Sequence, residues 1–148
     1  MKQIKNIKNK LKWEEYYNPE FCWNNFVFYR NNELTEDFIR EFKDKVNWRC
    51  ISGYQELSED FIREFKDKVD WFNISIHQTL SEDFIREFKD EIDWYYISTF
   101  QKLSENFIRE FKDKVNWNYI SQYYHQTLSE EFKEEFKKEL CTLFYEAD

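Results

Sequence analysis

Two histidines are the side chains best suited to acid–base or metal chemistry in this sequence. His77 and His125 each open the same string, His-Gln-Thr-Leu, and other copies of the surrounding pattern hold Tyr54 or Phe100 at that place. A catalytic or ligating imidazole needs a partner at a defined spacing, and the sequence has no HExxH string or paired histidines. We therefore expect both histidine rings to fill space.

Serines that precede apolar runs are a second group of candidate nucleophiles. No His or Lys base is placed by any of them, and a serine needs such a base for nucleophilic catalysis. The four are Ser58, Ser81, Ser104 and Ser129. Acidic residues follow each, which is typical of a helix N-cap. The many Asp and Glu residues alternate with Lys and Arg, a pattern that favours a solvated helix face over paired catalytic carboxylates.

The three cysteines, Cys22, Cys50 and Cys141, are odd in number and far apart. Because no CxxC pair occurs, the sequence suggests neither a disulfide framework nor a zinc site, and a reducing compartment fits best. We predict a protein that is not an enzyme, with no catalytic residues, cofactor or metal.

The composition limits the fold class. The chain has 148 residues, of which one is Gly and one is Pro. Sheets, barrels and phosphate-binding loops need turns with positive φ, which Gly adopts most readily. Aromatic residues make up 22% of the sequence, far too many for a disordered chain. The composition therefore predicts an all-α domain.

A pattern of 23 residues recurs along the chain and predicts a helical repeat protein. Its clearest marker is a tryptophan that returns every 23 residues, at Trp48, Trp71, Trp94 and Trp117. Four copies fill residues 34–127, an N-terminal cap and degenerate copy occupy 1–33, and a shortened C-terminal capping copy covers 128–148. A helix-turn-helix unit this short buries its apolar stripe only by stacking on neighbours. We predict one domain, 1–148, built as an α-solenoid with atypical capping copies at both ends.

The first helix of each copy is illustrated by residues 57–79. Ser58 is expected to cap the helix, and Phe61, Phe65 and Val69 form an apolar stripe with a spacing of four residues. This periodicity predicts a first helix that runs to about Val69. On its polar face, favourable i, i+4 charge pairs are expected for Glu59–Arg63 and Glu64–Lys68.

A second, shorter helix is predicted to follow in the same copy. Asp70 provides its N-cap, and the other copies hold Asn or Asp at that position. Trp71 and Ile74 lie three residues apart and are expected to face inward.

Differences between the copies are concentrated in the second helix. The first helix barely changes, whereas the two residues after each Trp and the two after each Ile-Ser vary. In repeat proteins an exposed, variable helix row carries specificity, and this row is rich in Tyr and Phe, which are enriched at interfaces. The predicted partner-binding residues are Tyr54, Phe72, Tyr95, Tyr96, Phe100 and Tyr119. The alternative is that Tyr96 and Tyr119 pack against the next copy, since aromatic residues at helical spacing are usually core.

The N-terminal segment is basic, with five lysines before the first acidic residue, Glu14. One interpretation is an amphipathic helix on a membrane surface or nucleic acid, and the other is a helix that caps the first repeat. The segment lacks the apolar core of a secretory signal, and no apolar run reaches the roughly 18 residues of a membrane span.

The string LSEDFIREFKDKVDW, followed by Ile-Ser and Gln, resembles a short repeat in uncharacterised proteins of giant DNA viruses that infect amoebae, such as mimivirus relatives. The pattern covers residues 34–127, about two thirds of the chain. Richness in Lys, Asn, Ile, Phe and Tyr also resembles coding in an AT-rich genome. The resemblance implies a location in the cytoplasm of an infected cell or in the virion, and it carries over no functional residues.

The favoured function is a scaffold that presents its aromatic, variable helix row to a host or viral protein. A second hypothesis is an acidic decoy of a nucleic-acid-binding protein, suggested by the rows of carboxylates and the net charge of -8. A third is a structural or virion protein that associates with itself through its end copies. We expect no direct binding to nucleic acid, because an acidic body does not suit phosphate contacts.

Overall fold

The computed structural model describes residues 33–122 and 128–141, and this part of the chain contains ten α-helices and no strand. In chain order they are α1 Glu36–Glu41, α2 Trp48–Tyr54, α3 Glu59–Glu64, α4 Trp71–His77, α5 Glu82–Glu87, α6 Trp94–Phe100, α7 Glu105–Glu110, α8 Trp117–Gln122, α9 Glu130–Glu135 and α10 Lys137–Cys141. First and second helices alternate with the predicted period, which confirms the all-α helical repeat fold.

The contacts divide the chain into two compact units, Met1–Gln78 and Thr79–Asp148. Within the first unit α2 packs against α4, and within the second α6 packs against α8, so second helices of consecutive copies lie together. Assignment of 1–148 to a single domain stays a prediction. The predicted N-terminal cap and degenerate copy lie outside the described residues except for Glu33, as do Cys22 and His125.

The predicted N-caps are present at both kinds of helix. Ser58 Oγ accepts the backbone N–H of Phe61 at 3.2 Å, and Asp70 Oδ1 accepts that of Asn73 at 2.9 Å. Thr35 and Asn47 do the same for α1 and α2. The serines of the repeat therefore serve as caps, as their sequence context predicts.

The first helix is shorter than the apolar periodicity predicts. It ends at Glu64 rather than at Val69, and Phe65 is its C-cap. The carbonyl of Phe65 then accepts the N–H groups of Lys68 and Val69, at 2.8 and 3.0 Å, in a separate turn. Because this turn has the length of one helical turn, Val69 is still buried in line with the apolar stripe of Phe61 and Phe65. Spacing alone cannot distinguish such a turn from a continued helix.

The charge pairs of the first helix are partly those expected. Arg63 lies 3.6 Å from Glu59, as predicted. The predicted Glu64–Lys68 pair is wrong, because both side chains reach the preceding copy: Glu64 accepts from Arg40 Nε at 2.7 Å, and Lys68 lies 2.7 Å from an oxygen of Asp44. Helix periodicity places the two residues on one face but does not reveal these competing partners.

The indole rings of three repeat tryptophans pack on the phenylalanines of the first helix in the next copy. The centroid of the Trp48 ring is 6.2 Å from that of Phe61 and 4.9 Å from that of Phe65. The same arrangement recurs for Trp94 on Phe107 and Phe111. Trp117 packs in this way on Phe132 and Phe136 of the shortened last copy. The last copy thus covers the tryptophan of the fourth, and its assignment as a cap stays a prediction.

A buried glutamine connects consecutive copies through their main chains. Gln78 Nε2 donates to the carbonyls of Ser52 and Gln55 at 2.9 and 2.8 Å, and its Oε1 accepts from the N–H of Leu57 at 3.1 Å. Gln55 and Gln101 likewise accept the backbone N–H of a leucine, namely Leu34 and Leu80. These side chains provide hydrogen-bond partners for buried backbone groups of the connections, which would otherwise be unpaired.

A serine of the second helix makes a further connection. Ser52 Oγ donates to the carbonyl of Trp48 at 2.8 Å and accepts the N–H of Asp70 in the next copy at 2.9 Å. Ser98 repeats both bonds, with Trp94 and Asn116. The constant Ile-Ser pair is therefore part of the junction between copies.

Replacing Gln78 with Leu should lower the free energy of unfolding by at least about 2 kcal/mol, because buried backbone groups lose their hydrogen-bond partner. Urea unfolding followed by circular dichroism measures the change. The control is Glu56→Ala at an exposed position of the preceding connection, with an expected effect within about 0.5 kcal/mol. Equal stability of the two variants would contradict the role assigned to Gln78.

Acidification should lower the stability through carboxylates that accept bonds from the next copy. The backbone N–H of Ser129 donates to Glu105 at 2.5 Å and holds the pKa of that carboxyl below its ordinary value of 4.5. The bond to Lys114 likewise lowers the pKa of Asp90. A depressed folded-state pKa gives stability that is present above the unfolded value and lost as the pH falls through the folded value.

The midpoint of thermal unfolding should therefore decrease as the pH falls below about 4.5. Glu105→Gln should reduce the difference in midpoint between about pH 3 and pH 7, since its amide does not titrate in this range. Scanning calorimetry at both pH values gives the comparison. An undiminished difference in the variant would show that Glu105 does not contribute.

Candidate partner-binding surface

Each second helix presents two exposed positions, the residue after the Trp and the residue before the buried Gln. Aromatic side chains occupy several of them, with exposed fractions of 40% for Tyr54, 48% for Phe72, 43% for Tyr95 and 51% for Phe100. Four of the six predicted partner-binding residues are thus surface side chains. The structure brings Tyr54 and Phe72 into the first unit, and Tyr95 and Phe100 into the second.

The remaining two predicted residues, Tyr96 and Tyr119, are half-buried. They stand two residues after a Trp, where Cys50 and Asn73 are half-buried as well. Tyr119 packs on Tyr95 of the preceding copy, with ring centroids 4.7 Å apart. At this position Tyr119 contacts the preceding copy and Tyr96 contacts Tyr95 and Phe100 of its own copy, so packing of the two tyrosines against the next copy stays a prediction.

Close packing between second helices also limits the size of the side chain that fits at Gly53. A Cβ atom at this residue would lie 3.0 Å from Oδ1 of Asn73 in the next copy. Other copies hold Ile76 or Thr99 at the corresponding position, so the contact depends on which neighbour is present.

Four aromatic side chains of the second unit form one connected cluster. Tyr95 meets Tyr96 edge to face, with centroids 4.9 Å apart, and meets Tyr119 in the same manner. The rings of Tyr96 and Phe100 are parallel to within 3°, with centroids 6.2 Å apart. The hydroxyl groups of Tyr95 and Tyr119 share a short hydrogen bond. We call these four residues the tyrosine surface.

The first unit presents a different set of exposed side chains on its second helices. Tyr54 stacks on His77 of the next copy, with centroids 6.5 Å apart. The His77 ring is exposed, so it covers the surface beside Tyr54 and does not fill the core. Arg49 is exposed one residue after its Trp, as Phe72 is in the following copy.

Three further residues of the second helices are exposed but do not belong to the aromatic pattern of the sequence. Arg49, His77 and Asn118 occupy the same two exposed positions as Phe72, Tyr54 and Tyr95 in other copies. The signal that could have identified them is their equivalent place in the repeat. The exposed row therefore includes polar and basic side chains beside the aromatic ones.

Groups suited to catalysis or metal binding do not converge on this surface. Within residues 33–122 and 128–141 no three His, Cys, Asp or Glu side chains are grouped to hold a metal ion. Burial raises the pKa of the Cys50 thiol, although nearby Arg49 opposes the shift, so the thiol is less reactive than a free one. In the same part of the chain no helix is long and apolar enough to cross a bilayer.

Tyr95→Phe should lower the pKa of Tyr119 towards its ordinary value of 10.0. The hydrogen bond with Tyr95 raises this pKa because it favours the neutral phenol, and burial adds to the shift. Titration of Tyr labelled with ¹³C at Cζ measures it by NMR, with Tyr54→Phe as the control. An unchanged Tyr119 titration in Tyr95→Phe would contradict the pairing of the two hydroxyl groups.

Comparison with known proteins identifies no relative: no family model, curated protein or solved structure matches the chain.

Proposed function

We propose that the protein is a non-enzymatic scaffold whose second helices bind a protein partner through their variable, exposed side chains. The observation that carries the proposal is the exposure of Tyr54, Phe72, Tyr95 and Phe100 on helices whose constant residues are already used between copies. Large exposed aromatic side chains are typical of interface hot spots, since they bury much area with few rotatable bonds.

The rigidity of the supporting helices favours this function. Ser52 and Gln78 fix the junction between consecutive copies of the first unit, and Ser98 repeats one of these bonds in the second. A surface held in place before binding loses less conformational entropy when a partner docks. The same framework can present different side chains at each copy without a change in its own contacts.

The acidic-decoy hypothesis has less support from the contacts. Carboxylates of the first helices pair with cations of a neighbouring copy, as Glu64 with Arg40 and Glu110 with Arg86. These pairs interrupt the row of negative charge that would have to imitate a phosphate backbone. Location in the cytoplasm of an infected cell, or in a virion, follows only from the resemblance to giant-virus repeats and stays part of the proposal.

Replacement of the four exposed aromatic residues by Ser should abolish capture of a partner from an amoebal lysate, the source suggested by that resemblance. The change removes the proposed anchors Tyr54, Phe72, Tyr95 and Phe100. We expect at least about a tenfold loss of the specific band, consistent with hot-spot energies. Nuclease-treated pull-downs analysed by quantitative mass spectrometry provide the measurement.

The matched control replaces Lys66, Lys89 and Lys112 by Ser, because these exposed lysines recur on the turn that follows each first helix. It should retain the partner, and both variants should keep the helical circular dichroism signal. Retention of the partner by the aromatic variant, or its equal loss from the lysine variant, would refute the assignment to the second helices.

A further inference from the structure

We propose, on the basis of the scaffold function, that the tyrosine surface recognises an arginine side chain on an extended segment of the partner. The surface consists of Tyr95, Tyr96, Phe100 and Tyr119 in the second unit. Arginine is the side chain that best complements the exposed ring faces, the hydroxyl oxygens and the negative charge of the chain.

The rings offer π faces to a cation. Tyr95 and Phe100 are 43% and 51% exposed, and Tyr96 lies parallel to Phe100 in the same cluster. The face of an aromatic ring carries negative partial charge and attracts a guanidinium group placed over it. Several rings in contact enlarge the area over which the aliphatic stem of an arginine can also pack.

The charges around the cluster favour a cationic occupant. Neither α6, with the sequence WYYISTF, nor α8, with the sequence WNYISQ, contains a basic residue. Asp93 caps α6, and its Oδ1 accepts the backbone N–H of Tyr95 at 3.0 Å, so a carboxylate lies beside the cluster. Lys114 Nζ lies over the ring of Trp94, 5.8 Å from its centroid, but pairs with Asp90 at 2.9 Å, and Lys102 follows α6 beyond the buried Gln101. The net charge of -8 attracts basic segments from a distance.

Contacts within this chain place guanidinium groups closer to aromatic rings than the ammonium of Lys114, which lies 5.8 Å from the centroid of the Trp94 ring. Arg86 and Arg109 place their guanidinium groups over the rings of Phe107 and Phe132, 5.0 and 4.9 Å from the centroids. Each guanidinium also donates to a glutamate of the neighbouring copy. The tyrosine surface offers ring faces together with neutral acceptors in place of the carboxylate, because the hydroxyl oxygens of the Tyr95–Tyr119 pair lie at its ring edges and can accept N–H bonds.

The test measures binding of an acetylated, amidated Gly-Ser peptide with three arginines by isothermal titration calorimetry, using the full chain. Two further peptides carry citrulline or lysine in place of arginine. Citrulline keeps the shape of the side chain without its charge. We expect the arginine peptide to bind at least about tenfold more tightly than the citrulline peptide, the ratio that a desolvated cation–π contact provides.

Variants locate the binding on the chain. Tyr95→Leu/Phe100→Leu keeps apolar side chains but removes two ring faces, and it should weaken the arginine peptide about tenfold. Thr79→Leu is the control, at an exposed, uncharged position in the connection before α5 that belongs to no proposed binding surface, and it should bind normally. Full binding by the double variant would show general attraction to an acidic chain and overturn the proposal, as would an equal loss in Thr79→Leu.

The peptide results separate this inference from the scaffold function. Equal affinity for the arginine and citrulline peptides, or tighter binding of the lysine peptide, would reject recognition of arginine. Dependence of partner capture on the four aromatic residues would then still support the scaffold. Failure of the scaffold function would appear instead as unchanged capture by the variant that lacks all four aromatic residues.

Discussion

The backbone groups at the junctions between copies form their hydrogen bonds without left-handed glycine residues at the helix ends. Among the described residues no backbone φ is positive, so none of the described helix ends uses a left-handed residue. Side chains supply the missing partners. Gln78 bonds to three main-chain groups at once, Ser52 bridges two copies, and the indole Nε1 of Trp48 donates to the carbonyl of Lys43 at 2.9 Å.

This constraint explains which positions of the repeat are constant. The Gln, Ser, Trp and N-cap residues each have a main-chain partner, and the buried Phe and Ile residues form the core between copies. A change at a buried Gln or Ser would leave a buried polar group unpaired, and a smaller residue in place of a buried Phe or Ile would leave a cavity. The residue after the Trp and the residue before the Gln vary between copies and are exposed in each described copy.

Charged side chains of the first helices also connect consecutive copies. Arg40 bonds to Glu64 and also lies over the ring of Phe61, 5.0 Å from its centroid, so one side chain joins two copies by charge and by packing. Exposed ion pairs of this kind contribute little individually, since water and salt screen them. Within each unit they join first helices of consecutive copies, as Arg40 with Glu64 and Arg86 with Glu110.

The sequence by itself determined the fold class, the period of the repeat and the helix N-caps. Scarce glycine indicated helices, the tryptophan spacing gave the repeat, and Ser or Asp before an apolar run marked each N-cap. An N-cap can be predicted in this way because its hydrogen bond joins residues two or three apart in the sequence. It also indicated the variable row, because the copies can be compared with one another within one chain.

The tertiary structure decided what depends on neighbours that are distant in sequence. The first helix ends at Glu64, because the Phe65 carbonyl forms a separate turn that keeps the same apolar period. Glu64 and Lys68 bond to the preceding copy instead of each other. Tyr96 and Tyr119 are half-buried while Tyr95 and Phe100 are exposed, a distinction that helical spacing cannot make, since stacking of the next copy determines which side of each second helix is covered.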